Sequence, residues 1–465
     1  MNEQSGVMNP ITEGRIGRAM FRYFLPLVAG TIFQQIYSLA DAVIVGRFVG
    51  KAGLAAIGGS ATTVIYIVTM VFTSMFAGAS VTLSQYFGAR EEKKLHEALH
   101  TMAAFGILVS VVTTVGGVAL SRWAMVMMRT PESLMTYSVQ YMVIYFGGVS
   151  TVILYNMGSS ILRAIGDSKR PFHYLIVCCV LNIVLDILFV VVWKKEVAGA
   201  AWATVISQGV SAFLVMRALV RNKEMEGIPF RLSLRVRDLK AGFNGKILKH
   251  QMRLGTPGSI QSVAYGISNI LIQACINGFG EDIVAAWAAY FKTDVIIWAI
   301  LNAFGVTVTT FVGQNYGAGK KERVFQSVRI GLVQASLLVV AIVILLISCA
   351  HPLLCLFLTD EDVIQIGVTM MHQFMPWYVL SVILEIFNGA LRGLGDVKIP
   401  TIITTCCILG LRIPWVTWIV PAYHEVLTVI LSYPMTWSLA LMMIIPYYLH
   451  RKKQMGRDLW EGRVG

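Results

Sequence analysis

Two carboxylates set in long apolar sequence, Asp41 and Asp186, are the residues of this chain best able to do chemistry. A charge buried in apolar surroundings is costly unless it is paired or hydrogen-bonded, so each asks what it is for. Both have company at helical spacing. Gln34, Tyr37 and Asp41 are spaced three then four, which lines all three along one helix face. Asn182 and Asp186 are four apart and share a face likewise, as do Thr204 and Gln208. Tyr141 and Asn156 are fifteen apart; at about 100° per residue that leaves them within about 60° of each other. Two carboxylates with amide, hydroxyl and phenol oxygens on four helices could close around a cation or a proton. The plainer alternative is that Asp41 and Asp186 only tie helices together by hydrogen bonds.

A second, different set lies later in the chain: Lys292, Asp294, Glu385 and Arg412. Lys292 and Asp294 are two apart and point to different faces, so they are poor partners for each other. Glu385 is the better mate for Lys292 or Arg412. An ion pair that only packs and a second coupling or substrate site are both open readings of this group. Aromatic residues such as Tyr265, Trp287, Tyr290, Trp298 and Trp377 could line a cavity for flat organic molecules, although most such residues simply face lipid or core.

The elements that must position these side chains are membrane helices. Hydrophobic residues make up 56% of the 465 and charged residues 14%, with a mean hydropathy of +0.68; a soluble chain carries about 25% charged residues. Apolar runs long enough to cross a bilayer recur throughout. They read as twelve spans, near 19–47, 53–87, 98–120, 133–161, 171–193, 198–220, 251–276, 283–315, 330–350, 363–391, 399–420 and 426–448. A barrel is excluded because its strands would alternate with period two, and these runs are continuously apolar. The expected class is therefore an all-α membrane protein.

Net charge is +13, yet its distribution argues against nucleic acid. Of the 38 Lys and Arg residues, 30 fall in loops on one side, 6 on the other, and Lys292 and Arg412 inside spans. The basic side is expected to be cytoplasmic, and it holds both termini. The expected organisation is a cytoplasmic segment at 1–18, a six-helix N-lobe at 19–220, a basic cytoplasmic linker at 221–249, a six-helix C-lobe at 250–449 and a cytoplasmic tail at 450–465.

The lobes repeat. Leu162-Arg163-Ala164-Ile165-Gly166-Asp167 returns as Leu391-Arg392-Gly393-Leu394-Gly395-Asp396, an offset of 229 residues, and Gln85 with Gly88-Ala89 returns as Gln314 with Gly317-Ala318. An even number of spans per copy makes these parallel repeats. Polar residues that fail to repeat then become the functional candidates. Asp186 falls opposite Trp415, Asn182 opposite Leu411, and Asp41 opposite Leu271 or Ile272, so the second lobe does not copy the first lobe's cluster.

One motif points elsewhere. His96-Glu97-Ala98-Leu99-His100 fits the HExxH pattern of zinc proteases, in which two His one turn apart bind metal and the Glu activates water. It sits beside Arg90, Lys93 and Lys94 at a span end, with no evident third ligand, and the repeat places Phe325, Gln326 and Arg329 opposite it. The expectation is a solvated helix end carrying no metal. The seven cysteines show no CxxC spacing and read as small core hydrophobes.

Leu25-Pro26, Asp41 and Gly46, Gln85 with Gly88-Ala89, and the two LRxxGDxKxP loops together resemble the multidrug and toxic compound extrusion (MATE) family over nearly the whole chain. The resemblance is to its DinF-like branch, and it implies a cation or proton site built from Asp41, Tyr141, Asn156, Asn182, Asp186 and Thr204. The other bacterial branch couples through a seventh-span Glu and a tenth-span Asp. Here the seventh span carries no acid, and Glu385 sits about one turn closer to the LRGLGD loop than that Asp would. The resemblance further implies a monomeric antiporter of the cell membrane that exports amphipathic, cationic organic compounds in exchange for H+ or Na+, by rocking two lobes around a central cavity. Small organic substrates and the bilayer are the expected partners, with no cofactor and no nucleic acid. No GxxxxGK[ST] phosphate loop is present, so nucleotide hydrolysis is not expected. Two alternatives stand beside this: a lipid-linked sugar flippase of related architecture, which calls for more spans and a cationic cavity, and a membrane metalloprotease using His96 and His100.

Overall fold

A computed structural model of the chain describes residues 9–221, 234–239 and 242–460, and these contain no strand. The expected N-terminal segment, linker and tail lie partly outside the described residues. Eleven helical stretches are long and apolar enough to cross a membrane, and a twelfth is a bent pair. In the first half the helices are α1 (Ile16–Phe48), α2 (Lys51–Gly58) running on to α3 (Ser60–Gly88), α4 (Glu92–Met127), α5 (Glu132–Gly147) with α6 (Val149–Ala164), α7 (Lys169–Asp186) and α8 (Glu196–Val220). In the second half they are α9 (Gly245–Asn277), α10 (Glu281–Gly317), α11 (Lys321–Ser348), α12 (Ala350–Leu354), α13 (Glu361–Phe374) with α14 (Tyr378–Gly393), α15 (Lys398–Cys407), α16 (Val420–Tyr423) and α17 (Val426–Trp460). Only helices can span a bilayer with continuously apolar sequence, because each backbone group must find its partner within the segment. Hydroxyls inside the spans follow the same rule: Thr69 donates to Ile65 O at 2.8 Å, Thr307 to Ala303 O at 2.7 Å and Thr404 to Pro400 O at 2.9 Å.

The fourth span breaks by 48° where α5 meets α6, at Gly147-Gly148. The tenth breaks at the corresponding place, through a 3₁₀ turn at Met375–Trp377 that contains Pro376. Two glycines in one copy and a proline in the other interrupt the same helix by different chemistry.

The left-handed turns repeat too. Gly50 and Gly280 take φ of 92° and 102°, and Gly166 and Gly395 take 97° and 81°. The last two close α6 and α14 identically. Gly166 N–H donates to Arg163 O and Asp167 N–H to Leu162 O; Gly395 donates to Arg392 O and Asp396 to Leu391 O. This is the Schellman ending, in which the residue after the cap must be left-handed and glycine meets no Cβ penalty. Asp167 then receives the N–H groups of Lys169 and Arg170, both at 3.1 Å, and starts α7.

The chain forms two compact units, one of Met1–Gly14 with Arg22–Ser259, the other of Arg15–Phe21 with Ile260–Gly465. The first is packed around α6, which lies against α3, α4 and α8. Phe76, Leu83, Leu99, Met157, Ile161 and Val215 fill its core. The second is built on α10, which packs against α11 and α14. There Gly305 and Gly389 let two backbones approach so closely that a Cβ at Gly389 would stand 2.8 Å from Gly305 O.

Candidate functional site

In the N-lobe α1 brings Asp41, and the end of α7 brings Asp186, to one place. Asn182 and Asp186 are wholly buried and Asp41 is half-buried. The two carboxyl groups face each other at interaction distance. No hydrogen bond of good geometry joins them, however. Asp41 Oδ1, both carboxyl oxygens of Asp186 and both amide atoms of Asn182 are buried without a hydrogen-bond partner among the described residues. Five buried polar atoms in one cluster are far from the usual state of a folded interior, where nearly all are satisfied. The phenol of Tyr141 lies close to both carboxylates, and that of Tyr37 close to Asp41.

Directly after Asp186 the helix widens into a π-helical turn, Ile187–Val192, and the second lobe has such a turn at the corresponding place, Trp415–Ile419, so the turn belongs to the shared frame and only the carboxylate before it is particular to the first lobe.

Other predicted residues are placed differently. Asn156 Nδ2 donates to Val152 O at 2.9 Å and Thr204 Oγ1 to Ala200 O at 3.1 Å, so both spend these donors on their own helices. Gln208 is buried with Oε1 unpartnered, and Gln34 is exposed. Two members of the cluster's surroundings escaped the sequence reading. Tyr145 lies one turn beyond Tyr141, its ring tilted 31° to that of Tyr141 with centroids 6.2 Å apart, and Cys178 lies four residues before Asn182 and near Asp41. Their i,i+4 spacing to residues already singled out was the available signal.

The C-lobe set does not assemble into one site. Glu385 pairs with Arg392, two turns nearer the loop, and not with Lys292 or Arg412 as the sequence led us to expect. Asp294 is buried and accepts hydrogen bonds from the Tyr378 hydroxyl and, at 3.0 Å, from Trp298 Nε1. Around it Tyr290, Phe374, Tyr378, Tyr433 and Trp437 pack into one aromatic cluster. Lys292 is exposed. Arg412 is 1% exposed and lies over the Tyr433 ring, with its Cζ 4.3 Å from the centroid.

The HExxH segment is not a solvated helix end. His100 is fully buried, and the segment grips the chain that leads from α8 to α9. Arg235 N–H donates to His100 Nε2 at 3.2 Å, while His100 Nδ1 donates to His96 O at 2.8 Å. Asn244 Nδ2 donates to Glu97 Oε2 at 2.8 Å, Asn244 N–H to Thr101 Oγ1 at 3.0 Å, and Gln251 Nε2 to Ala98 O at 3.0 Å. A third potential ligand absent from the sequence pattern, Asp238, stands with His96 and His100, their ligand atoms all within 4.8 Å of one another. Yet both ring nitrogens of His100 are already used, and Glu97 holds Asn244. The arrangement is that of a clasp.

Comparison with known proteins places these features in context. Residues 26–188 and 257–418 match the MatE family. The chain is 29% identical over 451 residues to the probable multidrug resistance protein YoeA of Bacillus subtilis, covering 95% of this chain and 96% of that one. It is 25% identical to the probable multidrug resistance protein NorM of Thermotoga maritima, covering 88% and 87%. A crystal structure of MATE in the straight conformation superposes with a TM-score of 0.87, at 20% identity, over 98% of this chain and all of that one.

Proposed function

This chain belongs to the MatE family of multi-pass membrane transporters and is not an enzyme, and from that premise we propose that it is a secondary active antiporter. It exports amphipathic, cationic organic compounds in exchange for H+ or Na+, with the Asp41–Asp186 cluster as the coupling site. The observation that carries this reading is the pair of buried carboxylates facing each other beside an unsatisfied Asn182, present in one lobe and not copied in the other. Two carboxylates in contact away from water hold a shared proton or a cation more readily than two negative charges. When that ion leaves, the charge it balanced must find Tyr141, Asn182 or a moved α1, so occupancy is tied to packing. Gln34 and Tyr37, on the same face as Asp41, carry the change along α1. The termini and the linker lie in the cytoplasm, the chain works as a monomer, and the lobes rock between inward- and outward-facing states.

The energetics suffice. One coupled charge supplies about 2.3 kcal/mol per 100 mV, and one proton about 1.36 kcal/mol per pH unit. Together they sustain a concentration ratio of roughly several hundred without ATP.

The test is dye efflux from vesicles with the proton and sodium gradients imposed separately, combined with substrate affinity titrated against pH and against sodium. By linkage, an ion that weakens substrate binding is itself weakened by substrate to the same degree. Affinity falls as the coupling ion rises in wild type and stays flat in Asp41→Asn. Flat titrations in wild type, or full dependence in the variant, would remove Asp41 from this role.

A further inference from the structure

Between α11 and α13 three side chains of the second lobe meet in an order that the coupling site does not use. Cys355, which reads from the sequence as a small core hydrophobe, is exposed. Its Sγ stands 3.6 Å from Nδ1 of His351, and Nε2 of the same ring stands 3.0 Å from Glu361 Oε1. The backbone sets this alignment. α12 carries His351, and Cys355 N–H closes its last turn on His351 O at 3.0 Å, so the two side chains share a face four residues apart. Glu361 opens α13, where Asp360 caps the helix by accepting from Asp362 N–H at 3.0 Å, and Gln365 Nε2 donates to the same Glu361 oxygen at 2.8 Å. Leu354 is fully buried and fastens α12 to α13 at Gly367, where a Cβ would stand 2.8 Å from its Cδ1. In the first lobe the corresponding residues are Arg122, Val126 and Glu132, so the thiol and the imidazole are particular to the second.

The hydrogen bonds assign the ring's proton. An ionised carboxylate only accepts, so Nε2 carries the hydrogen and Nδ1 presents its lone pair to the thiol. Other histidines of the chain use Nδ1 differently: those of His100, His173 and His372 each lie 2.8 Å from the carbonyl oxygen four residues back, to which they donate. His351 keeps that nitrogen off its own helix and aims it at sulfur. A nucleophile, a base and a carboxylate that orients the base are the parts of an activated thiol. We propose that Cys355 is a nucleophilic thiol that exchanges with low-molecular-weight disulfides on the outer face of the membrane, with His351 as its base and Glu361 as the positioning residue. α11 starts at Lys321 on the basic side and brings Cys355 out on the opposite one, where disulfides persist. In the step, Nδ1 takes the Cys355 proton as Sγ attacks one sulfur of the disulfide. A new S–S bond forms and the old one breaks; the departing sulfur leaves with its electron pair and takes the proton from the imidazolium. Cys355 is oxidised to a mixed disulfide, and half of the incoming disulfide is reduced to a thiol. The site shares with the efflux reading only the orientation of the chain in the membrane.

Glutathione disulfide is the probe, and the rate at which Cys355 of the purified full-length protein gains glutathione is read by mass spectrometry of its peptide. Native wild type reacts at least about tenfold faster than the same protein unfolded in guanidinium chloride, since a positioned base speeds proton transfer by roughly 10²–10⁴-fold. His351→Ala brings the native rate down to the unfolded one, and Glu361→Gln lowers it several-fold. Added imidazole restores part of the rate in His351→Ala and none in Glu361→Gln, which a purely structural role for the two residues would not produce. A native wild-type rate no higher than the unfolded one overturns the site without recourse to any variant, and so do equal rates in wild type and His351→Ala. A wild-type rate that rises on adding a chelator overturns it as well, because the thiol would then be holding a metal. Glutathione disulfide given to intact cells modifies Cys355; modification confined to inverted vesicles would put the thiol on the reducing side and overturn its choice of partner. These rates need no gradient, so absence of coupled efflux would remove the antiporter reading and leave them standing.

Discussion

The two lobes share a backbone plan and differ in what they bury. Their helices end on the same left-handed turns, at Gly166 and Gly395, and break at the same level, at Gly148 and Trp377. Inside, the first lobe holds two carboxylates and an amide with almost nothing to bond to among the described residues, whereas the second holds an acid served by Tyr378 and Trp298 and a guanidinium that lies over the Tyr433 ring. Duplication supplied the frame, and the polar interior diverged within it. A satisfied buried group stabilises; an unsatisfied one is tolerated where something must bind or move.

Neutralising the acids of each lobe in turn separates the two interiors. Asp186→Asn and Asp41→Asn are expected to lower gradient-driven efflux about 100-fold or more while stability is held or raised, since each removes a buried carboxylate that lacks a partner. Asp294→Asn is expected to do the reverse, costing about 1–3 kcal/mol of stability through its hydrogen bonds and lowering efflux only a few-fold. Efflux assays beside thermal unfolding of the same variants decide the matter. Wild-type efflux from the N-lobe variants, or complete loss from Asp294→Asn in a folded protein, would dissolve the distinction between the lobes.

Much of this was legible in the sequence, and the physical reason is length scale. Spans, repeat and turns depend on local hydropathy and on glycine, so α1 to α17 fall where apolar runs and the LRxxGD loops put them. Asp41, Asn182 and Asp186 could be grouped because helical periodicity fixes which face a residue takes. Partner choice across helices could not. Glu385 selects Arg392 rather than Arg412 because Gly305 lets α10 press against α14 and hold the Glu385 side chain there, a matter of packing. The HExxH segment misled for the same reason. Beside Arg90, Lys93 and Lys94 it reads as solvated, yet Arg235, Asn244 and Gln251, far along the chain, pack back onto it, and His100 is buried.

That clasp gives a smaller prediction. His96→Ala with His100→Ala opens the Arg235 bond and is expected to speed proteolysis between α8 and α9 several-fold, in line with loss of one or two buried hydrogen bonds. Efflux should stay within about twofold and metal content should be unchanged between variant and wild type. Stoichiometric zinc that disappears in the variant would show that Asp238, His96 and His100 hold a metal instead.

The smallest effect lies at one position where the two frames disagree. α3 and α10 end on matching Schellman turns, with Arg90 N–H donating to Phe87 O and Gly319 N–H to Tyr316 O. The left-handed residue is Gly319, with φ of 69°, in the second lobe, but Arg90, with φ of 56°, in the first. An L-residue there pays about 1–2 kcal/mol that glycine does not. Arg90 recovers part of this through an exposed ion pair with Glu13 at 3.0 Å, a contact of the kind that contributes at most about 1 kcal/mol. Gly319→Ala is therefore expected to destabilise the C-lobe by about 1 kcal/mol, and Arg90→Gly to change the N-lobe by less than that in either direction. Repeating the Arg90→Gly comparison in high salt screens the pair away in wild type, and the variant should then be the more stable. If Arg90→Gly destabilises by more than about 1 kcal/mol even in high salt, the Arg90 side chain holds the turn through contacts other than the pair with Glu13. The two lobes would then differ in how they close their second span as well as in what they bury.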